Sequence, residues 1–328
     1  MFPKLNLMNT IKSFCLFALL FFQANVYAQL NFDADLKEKV SYFTKSCDDK
    51  DVKKIYKDKP RPNRLLLIDA TDPLTSGQKQ YIRDNYINGF DWQNKGEIFS
   101  MVLLDNKNIS KLDRVTLCSP MREDQISFFA AKKDEMDRIN AYKETLNKIF
   151  GLMVNKDTTA NSTKLIETLY AIYTNKRFNF QGKNHNRALL VTSDLLQISK
   201  EVDLRCKGGR CLQFKDTLKA NKRWFNVSKL ELRKSDDYFK GDVVEMYYFQ
   251  AKCKVNIERL EWWKQYFLAE GIKKKNLSVR AENGGSEAEC EPNLSGGSGP
   301  GGPIVDVKPI NINTSVHGVT GFTQHLTN

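Results

Sequence analysis

The sequence predicts an α/β fold: a doubly wound, mostly parallel sheet with helices on both faces. Three observations carry that prediction. Short apolar runs recur at Leu65–Ile68, Ile98–Leu104, Arg114–Cys118, Ala188–Thr192 and Val243–Phe249. Between them lie segments whose apolar residues step by threes and fours, the period of a helix with one buried face. The first and fourth runs each lead into a carboxylate, Asp69 and Asp194. Open α/β sheets gather ligand-binding groups at the carboxyl ends of their strands.

The first strand, 64–69, runs into Thr71, Asp72, Pro73 and Thr75, which punctuate a turn before a helix over 76–88. Strands at 98–104 and 114–118 have only a short connection, so they form an antiparallel pair with one member at an edge. A long helix over 124–154 carries Met136, Ile139, Tyr142, Leu146, Ile149, Phe150 and Met153 on one stripe. A second helix spans 162–176, with Leu165, Leu169, Ile172 and Tyr173. The strand at 188–192 ends in Ser193 and Asp194, and a further strand covers 243–249. A last helix, 255–270, lines up Ile257, Leu260, Trp263 and Phe267. Adjacent helical residues point about 100° apart, so Trp262 leaves that stripe and is the candidate surface aromatic for a partner.

The flanks differ in character. Residues 1–28 have Lys4 and Lys12, an apolar stretch Phe14–Phe22 and Val26-Tyr27-Ala28, the pattern of a cleaved export signal. Its apolar core is short for a membrane-spanning helix, and no later stretch is long enough to span. Residues 29–63 read as a linker with a short helix, 64–281 as the α/β domain, and 282–328 as a flexible tail. The segment 282–303 holds seven of the 18 glycines and no Lys or Arg, a composition that cannot bury a core. Alternating residues at 304–307 and 310–313 resemble strand-forming peptide.

Loss of the signal leaves six cysteines: Cys47, Cys118, Cys206, Cys211, Cys253 and Cys290. An even number in an exported chain predicts disulfides. Cys206 and Cys211 bracket a turn, Lys-Gly-Gly-Arg, that can close a local ring; the other four allow Cys47–Cys118 with Cys253–Cys290 among the alternatives. The net charge of +12 is dispersed rather than clustered, so a nucleic-acid partner is not expected.

The strand–Asp69-Ala70-Thr71-Asp72–helix segment, the antiparallel pair, and Leu189-Leu190-Val191-Thr192-Ser193-Asp194 together resemble the von Willebrand factor A-type domain, over residues 64–281. The resemblance implies a doubly wound sheet with a Mg²⁺ site at its top, built on Asp-x-Ser-x-Ser plus a later Thr and a later Asp. Asp69 matches the motif's Asp, Thr71 its first Ser, and Asp194 the later Asp. Pro73 stands where the second Ser belongs, with Asp72 and Thr75 displaced in register. No later Thr is matched by spacing; Thr116 lies inside a strand and Ser119 is an alternative. Asp69, Thr71, Asp72 and Asp194 are therefore the candidate oxygen ligands for Mg²⁺. The competing reading is a metal-free scaffold in which Asp69 and Thr71 cap the next helix or hold the turn.

Catalytic classes find little support. The Asp-x-Asp of haloacid-dehalogenase-type phosphatases has Thr71 in place of its second Asp. No phosphate-cradling glycine motif follows a strand. Histidine is limited to His185, His317 and His325, and His185 reads as a loop residue, so nucleophile–His–acid triads have little to work with. The expected function is an exported, non-catalytic interaction module of the cell envelope, binding an envelope or secreted protein, in the periplasm if the source is Gram-negative. The alternative is a metal-dependent periplasmic hydrolase using Asp69, Asp72 and Asp194.

Overall fold

The computed structural model describes residues 30–89, 95–105, 109–120, 129–156, 162–178, 180, 185–199, 202–205, 213–216, 243–249 and 257–282. The expected signal, the tail beyond Glu282, and Cys206, Cys211, Cys253 and Cys290 lie outside them.

Among the described residues six strands form one sheet: β1 (Arg61–Asp69), β2 (Ile98–Leu104), β3 (Arg114–Cys118), β4 (His185–Ser193), β5 (Val243–Phe249) and β6 (Leu277–Glu282). Their order across the sheet is β3-β2-β1-β4-β5-β6. All pairings are parallel except β2 with β3, which sits antiparallel at one edge. β1 is central and buried from Pro62 onward, which explains its unbroken apolar run.

Among the described residues the α-helices are α1 (Ala34–Lys45), α2 (Lys50–Ile55), α3 (Ser76–Ile82), α4 (Phe129–Val154), α5 (Leu165–Thr174) and α6 (Ile257–Ala269). Strand alternation divides the core into two layers. Leu66, Ile68, Phe99, Met101, Leu103, Leu117 and Leu190 meet α1, α3 and α4 on one face. Leu65, Leu67, Val102, Leu189, Val191, Val244 and Met246 meet α5 and α6 on the other. The doubly wound architecture expected from the sequence is therefore the one observed. Among the described residues, no helix is long and apolar enough to cross a membrane.

The segment before residue 64 is bound to the sheet rather than running past it. Asp33 caps α1 by accepting from the Leu36 N–H at 2.7 Å, and Leu36, Val40 and Phe43 enter the core. The Thr44 hydroxyl donates to the carbonyl of Thr116 in β3 at 3.0 Å, and that of Ser46 lies 3.4 Å from the Cys118 carbonyl. Edge strands invite unwanted pairing, and here side chains occupy outward carbonyls of β3. A Cys47–Cys118 disulfide fixes this arrangement. Arg61 wraps it, donating from Nε to the Gly96 carbonyl at 2.6 Å, from Nη1 to the Cys47 carbonyl and from Nη2 to Cys118 Sγ.

Three expectations need correction. Trp262 is not a surface aromatic: it is 1% exposed. It stacks on Tyr266 at 5.7 Å and meets Phe214 edge-on at 5.4 Å. The direction away from the Trp263 stripe is covered by the Phe214 segment, so α6 is buried on two sides. His185 is the first residue of β4, paired with Arg61, rather than a loop residue. The chain beyond α6 also adds a sixth strand, β6, beside β5.

Candidate functional site

Parallel pairing brings the ends of β1 and β4 together. Ile68 lies opposite Thr192, so the next step sets Asp69 beside Ser193. The Asp69 carboxylate is buried and accepts on both oxygens. Oδ1 takes the Thr71 hydroxyl at 2.8 Å and the Thr71 N–H at 3.1 Å. Oδ2 takes the Ser193 hydroxyl at 2.6 Å. Ser193 Oγ in turn accepts from the Leu195 N–H at 2.8 Å, which orients its proton toward Asp69.

The Thr71 hydroxyl also lies 2.9 Å from the hydroxyl of Thr163. Because Thr71 donates to Asp69, Thr163 supplies the proton of this second contact. Thr163 precedes α5 and is buried. Sequence reasoning did not select it, nor Ser193. The available signal was a Ser-Thr pair just ahead of an amphipathic helix, which reads equally well as a helix cap.

Other expected residues fall differently. Asp72 is exposed beside the cluster and acts on it through its charge. Thr75 is committed to a capping box: its hydroxyl accepts from the Gln78 N–H, and Gln78 Oε1 accepts from the Thr75 N–H. That leaves Asp69 and Thr71 free of the capping role; the contact from Thr71 N–H is a local turn bond. Antiparallel β3 carries Ser119 to the opposite edge, where its N–H meets the Glu97 carbonyl. Thr116 pairs with Ser100 at 2.8 Å, level with Leu65 in the middle of β1. Neither supplies the later Thr of the motif. His185, at the start of β4, is at that opposite edge too.

Asp194 is half-buried at the rim. Its Oδ1 accepts from the Leu196 N–H at 2.8 Å, and its carbonyl accepts from Arg259 of α6 at 2.9 Å. Leu195 follows with φ 55°, a left-handed conformation costly for a branched side chain. Trp263 Nε1 holds the Leu195 carbonyl at 2.9 Å. Thus α6 fixes the loop that presents Asp194.

The carboxylates oppose one another. Burial pushes Asp69 upward, against its bonds from Ser193 and Thr71, and the charge of Asp72 adds to the rise. Asp194 is pushed up to about 7, first by burial and then by Asp69, against the Leu196 N–H and Arg259, with a further rise from Asp72. The two titrate as a pair. A folded-state value above the unfolded one means that the native state binds more protons. The stabilisation is then full below the ordinary Asp range and is lost as pH rises through about 7. In cation-free buffer, the Tm of the wild type should fall relative to Asp194→Asn between about pH 4 and about pH 7. Melting curves across that range check it; parallel pH profiles would contradict it. The asparagine retains an oxygen for the Leu196 N–H, so the comparison isolates the charge.

The donors are all oxygen, three of them hydroxyls of Thr71, Thr163 and Ser193, with net negative charge. That suits a hard divalent cation. Among the described residues, no three His, Cys, Asp or Glu side chains gather closely enough to hold an ion by themselves. An ion here would depend on hydroxyls and water, and Pro73 withholds the motif's second hydroxyl.

No protein-family model matches the chain. No curated protein matches it either. Among solved structures, the human COPII-coat protein Sec24c aligns at 10% identity and a TM-score of 0.37, over 69% of this chain and 30% of its own. The pilus adhesin SpaC of Lactobacillus rhamnosus GG aligns at 9% identity and 0.34, over 68% of this chain and 28% of its own. A von Willebrand factor type A protein from Catenulispora acidiphila aligns at 9% identity and 0.35, over 68% and 39%. The chain spans less than half the length of each. At these scores the fold assignment rests on the strand order and register of this molecule.

Proposed function

We propose that this chain is an exported, non-catalytic protein-interaction module of the cell envelope, working through the carboxyl edge of its sheet. The observation that carries the reading is the buried Asp69–Thr71–Thr163–Ser193 cluster beside Asp194. Three segments distant in sequence converge there, and their carboxylates repel. Asp69 holds the hydroxyls of Thr71 and Ser193 in place, Thr163 closes the cluster, and Asp194 lies at the solvent rim. A Mg²⁺-type ion, when bound, would neutralise these carboxylates and accept a carboxylate oxygen from a partner protein. The Cys47–Cys118 disulfide supports an oxidising compartment, consistent with export and, in a Gram-negative source, with the periplasm.

Thermal melting during Mg²⁺ and Mn²⁺ titrations tests the reading. A ligand at 100 times its Kd adds about 2.7 kcal/mol, or about 5–11 °C for a domain of this size. The wild type should show a saturable rise of that order, and Asp69→Asn should abolish it while keeping its far-UV circular dichroism. No rise, or an equal rise in the variant, would contradict it. The elevated Asp194 is what favours the second reading, a metal-dependent periplasmic hydrolase using Asp69, Asp72 and Asp194. Cation-dependent turnover of phosphoesters or esters that is lost in Asp69→Asn would select it.

A further inference from the structure

Thr163 reaches the cluster from a segment that has no obvious support of its own. It lies just ahead of α5, whose capping residue, Lys164, offers no side-chain hydrogen bond to the helix. The first-turn N–H groups of a helix need partners. Here one comes from another loop. Gln197, fully buried, lies in the segment that follows β4 and carries Asp194. Its Oε1 accepts from the Ile166 N–H at 2.9 Å. Its Nε2 donates to Glu167 Oε2 at 2.9 Å. Next to it, the Ile198 N–H donates to the carbonyl of Thr163 at 2.8 Å. The carbonyl of Gln197 is itself held by the Leu204 N–H at 2.8 Å.

These bonds join two site loops into one body. Residues 193–198 carry Ser193 and Asp194; residues 163–167 carry Thr163 and start α5. We propose that Gln197 is the positioning residue that fixes the Thr163 hydroxyl relative to Asp69 and Asp194, and thereby sets the affinity of the cluster for a divalent cation. This rests on the cation reading above, but the clamp has a physical signature independent of it. The side-chain hydrogen bonds of Gln197 go to Ile166 and Glu167 of α5, neither of them a candidate ligand. Gln197 acts by presenting α5 and its preceding residue at a fixed distance from the end of β4, as residues behind a metal's ligands commonly do.

Three variants test the proposal. Gln197→Met keeps the volume and removes both side-chain bonds. Gln197→Glu keeps an acceptor for the Ile166 N–H but confronts Glu167 with a second carboxylate. Gln197→Glu combined with Glu167→Gln exchanges donor and acceptor and restores both bonds. Two readouts are needed: the Mg²⁺ concentration giving half of the thermal stabilisation, and cation-free hydrogen exchange at the amides of Leu195, Leu196 and Ile198, with Val40 of α1 as reference. Gln197→Met should raise the Mg²⁺ midpoint at least about tenfold and speed exchange at the three site-loop amides more than at Val40. The exchanged pair should recover most of both effects. An unchanged midpoint in Gln197→Met, equal acceleration at Val40, or no recovery in the exchanged pair would overturn the proposal. If the wild type shows no Mg²⁺ response, the cation reading and the affinity role of Gln197 fail together. Loop-confined exchange that the exchanged pair reverses would then show that the clamp exists without a cation to serve.

Discussion

Arg64→Met is expected to destabilise the fold by about 3–5 kcal/mol, lowering Tm by about 6–20 °C for a domain of this size. Arg64 Nε lies 2.8 Å from Glu97 Oε1, with the side chains 8% and 0% exposed. Tyr142 lies near enough that both charges act on its hydroxyl, which burial holds well above its ordinary value; Glu97 raises it further and Arg64 opposes. The pair sits under α1 and α4, where Phe43 meets Tyr142 edge-on at 5.1 Å. Removing the guanidinium takes its ion-pair partner from a carboxylate that water does not reach, and the cost of keeping Glu97 buried without it is the source of the loss. Replacing both members, Arg64→Met with Glu97→Leu, should recover most of it, because a buried pair adds little over apolar residues of similar volume. Urea or thermal unfolding of the two variants decides it. A loss below about 1 kcal/mol in Arg64→Met would place the pair in the class of solvated surface bridges.

The second large effect is that of the disulfide. Cys47 and Cys118 are 71 residues apart. The chain-entropy relation for a closed loop of that length gives about 4 kcal/mol, or about 8–16 °C in Tm. Substituting both by alanine should cost approximately that, and should loosen α1 and α2 before the sheet, since the bond ties this segment to edge strand β3. The double variant isolates this bond from the other cysteines, which a reducing agent would also affect. Hydrogen exchange should show faster opening at Val40 and Val52 than at Leu66. A variant as stable as the oxidised wild type would show that α1 is held by its packing and side-chain bonds alone.

The sequence made the central strands legible because their middle residues are buried on both faces and are mostly apolar, although Arg64, Ser100 and Glu245 are buried among them. β2, β3 and β5 occupy the residues expected, and the short connection correctly made β2 and β3 antiparallel. Limits were harder to read where the strands leave the apolar core. β1 begins three residues earlier, through Pro62, which lies opposite Asn186 of β4 but ahead of the β1–β2 pairing that starts at Asn63. β6 was missed although Leu277-Ser278-Val279-Arg280-Ala281-Glu282 alternates apolar and polar residues, the pattern of a half-buried strand. The Cys47–Cys118 pairing was one alternative among several, and only the packing of α1 on β3 selects it.

At the site, Asp69, Thr71 and Asp194 were legible because they lie at or just past strand ends, where the parallel topology fixes a common edge. Thr163, Ser193 and Gln197 were not. Their roles depend on which loop crosses which strand end, and a hydroxyl or amide ahead of a helix has an equally good local explanation. Trp262 failed for a related reason: a helical wheel gives direction, and Phe214, distant in sequence, covers what that direction meets.

The proposed function requires a divalent cation held by the Asp69 cluster. Mn²⁺ binding, followed by loss of the hexaaqua electron paramagnetic resonance signal, measures this without reference to stability or activity. The expected result is one ion per chain in the wild type, displaced by Mg²⁺ and lost in Asp69→Asn with the fold intact. Absence of binding to the wild type, or binding that survives Asp69→Asn, would contradict the account and leave the cluster as a hydrogen-bonded joint between β1, β4 and the start of α5.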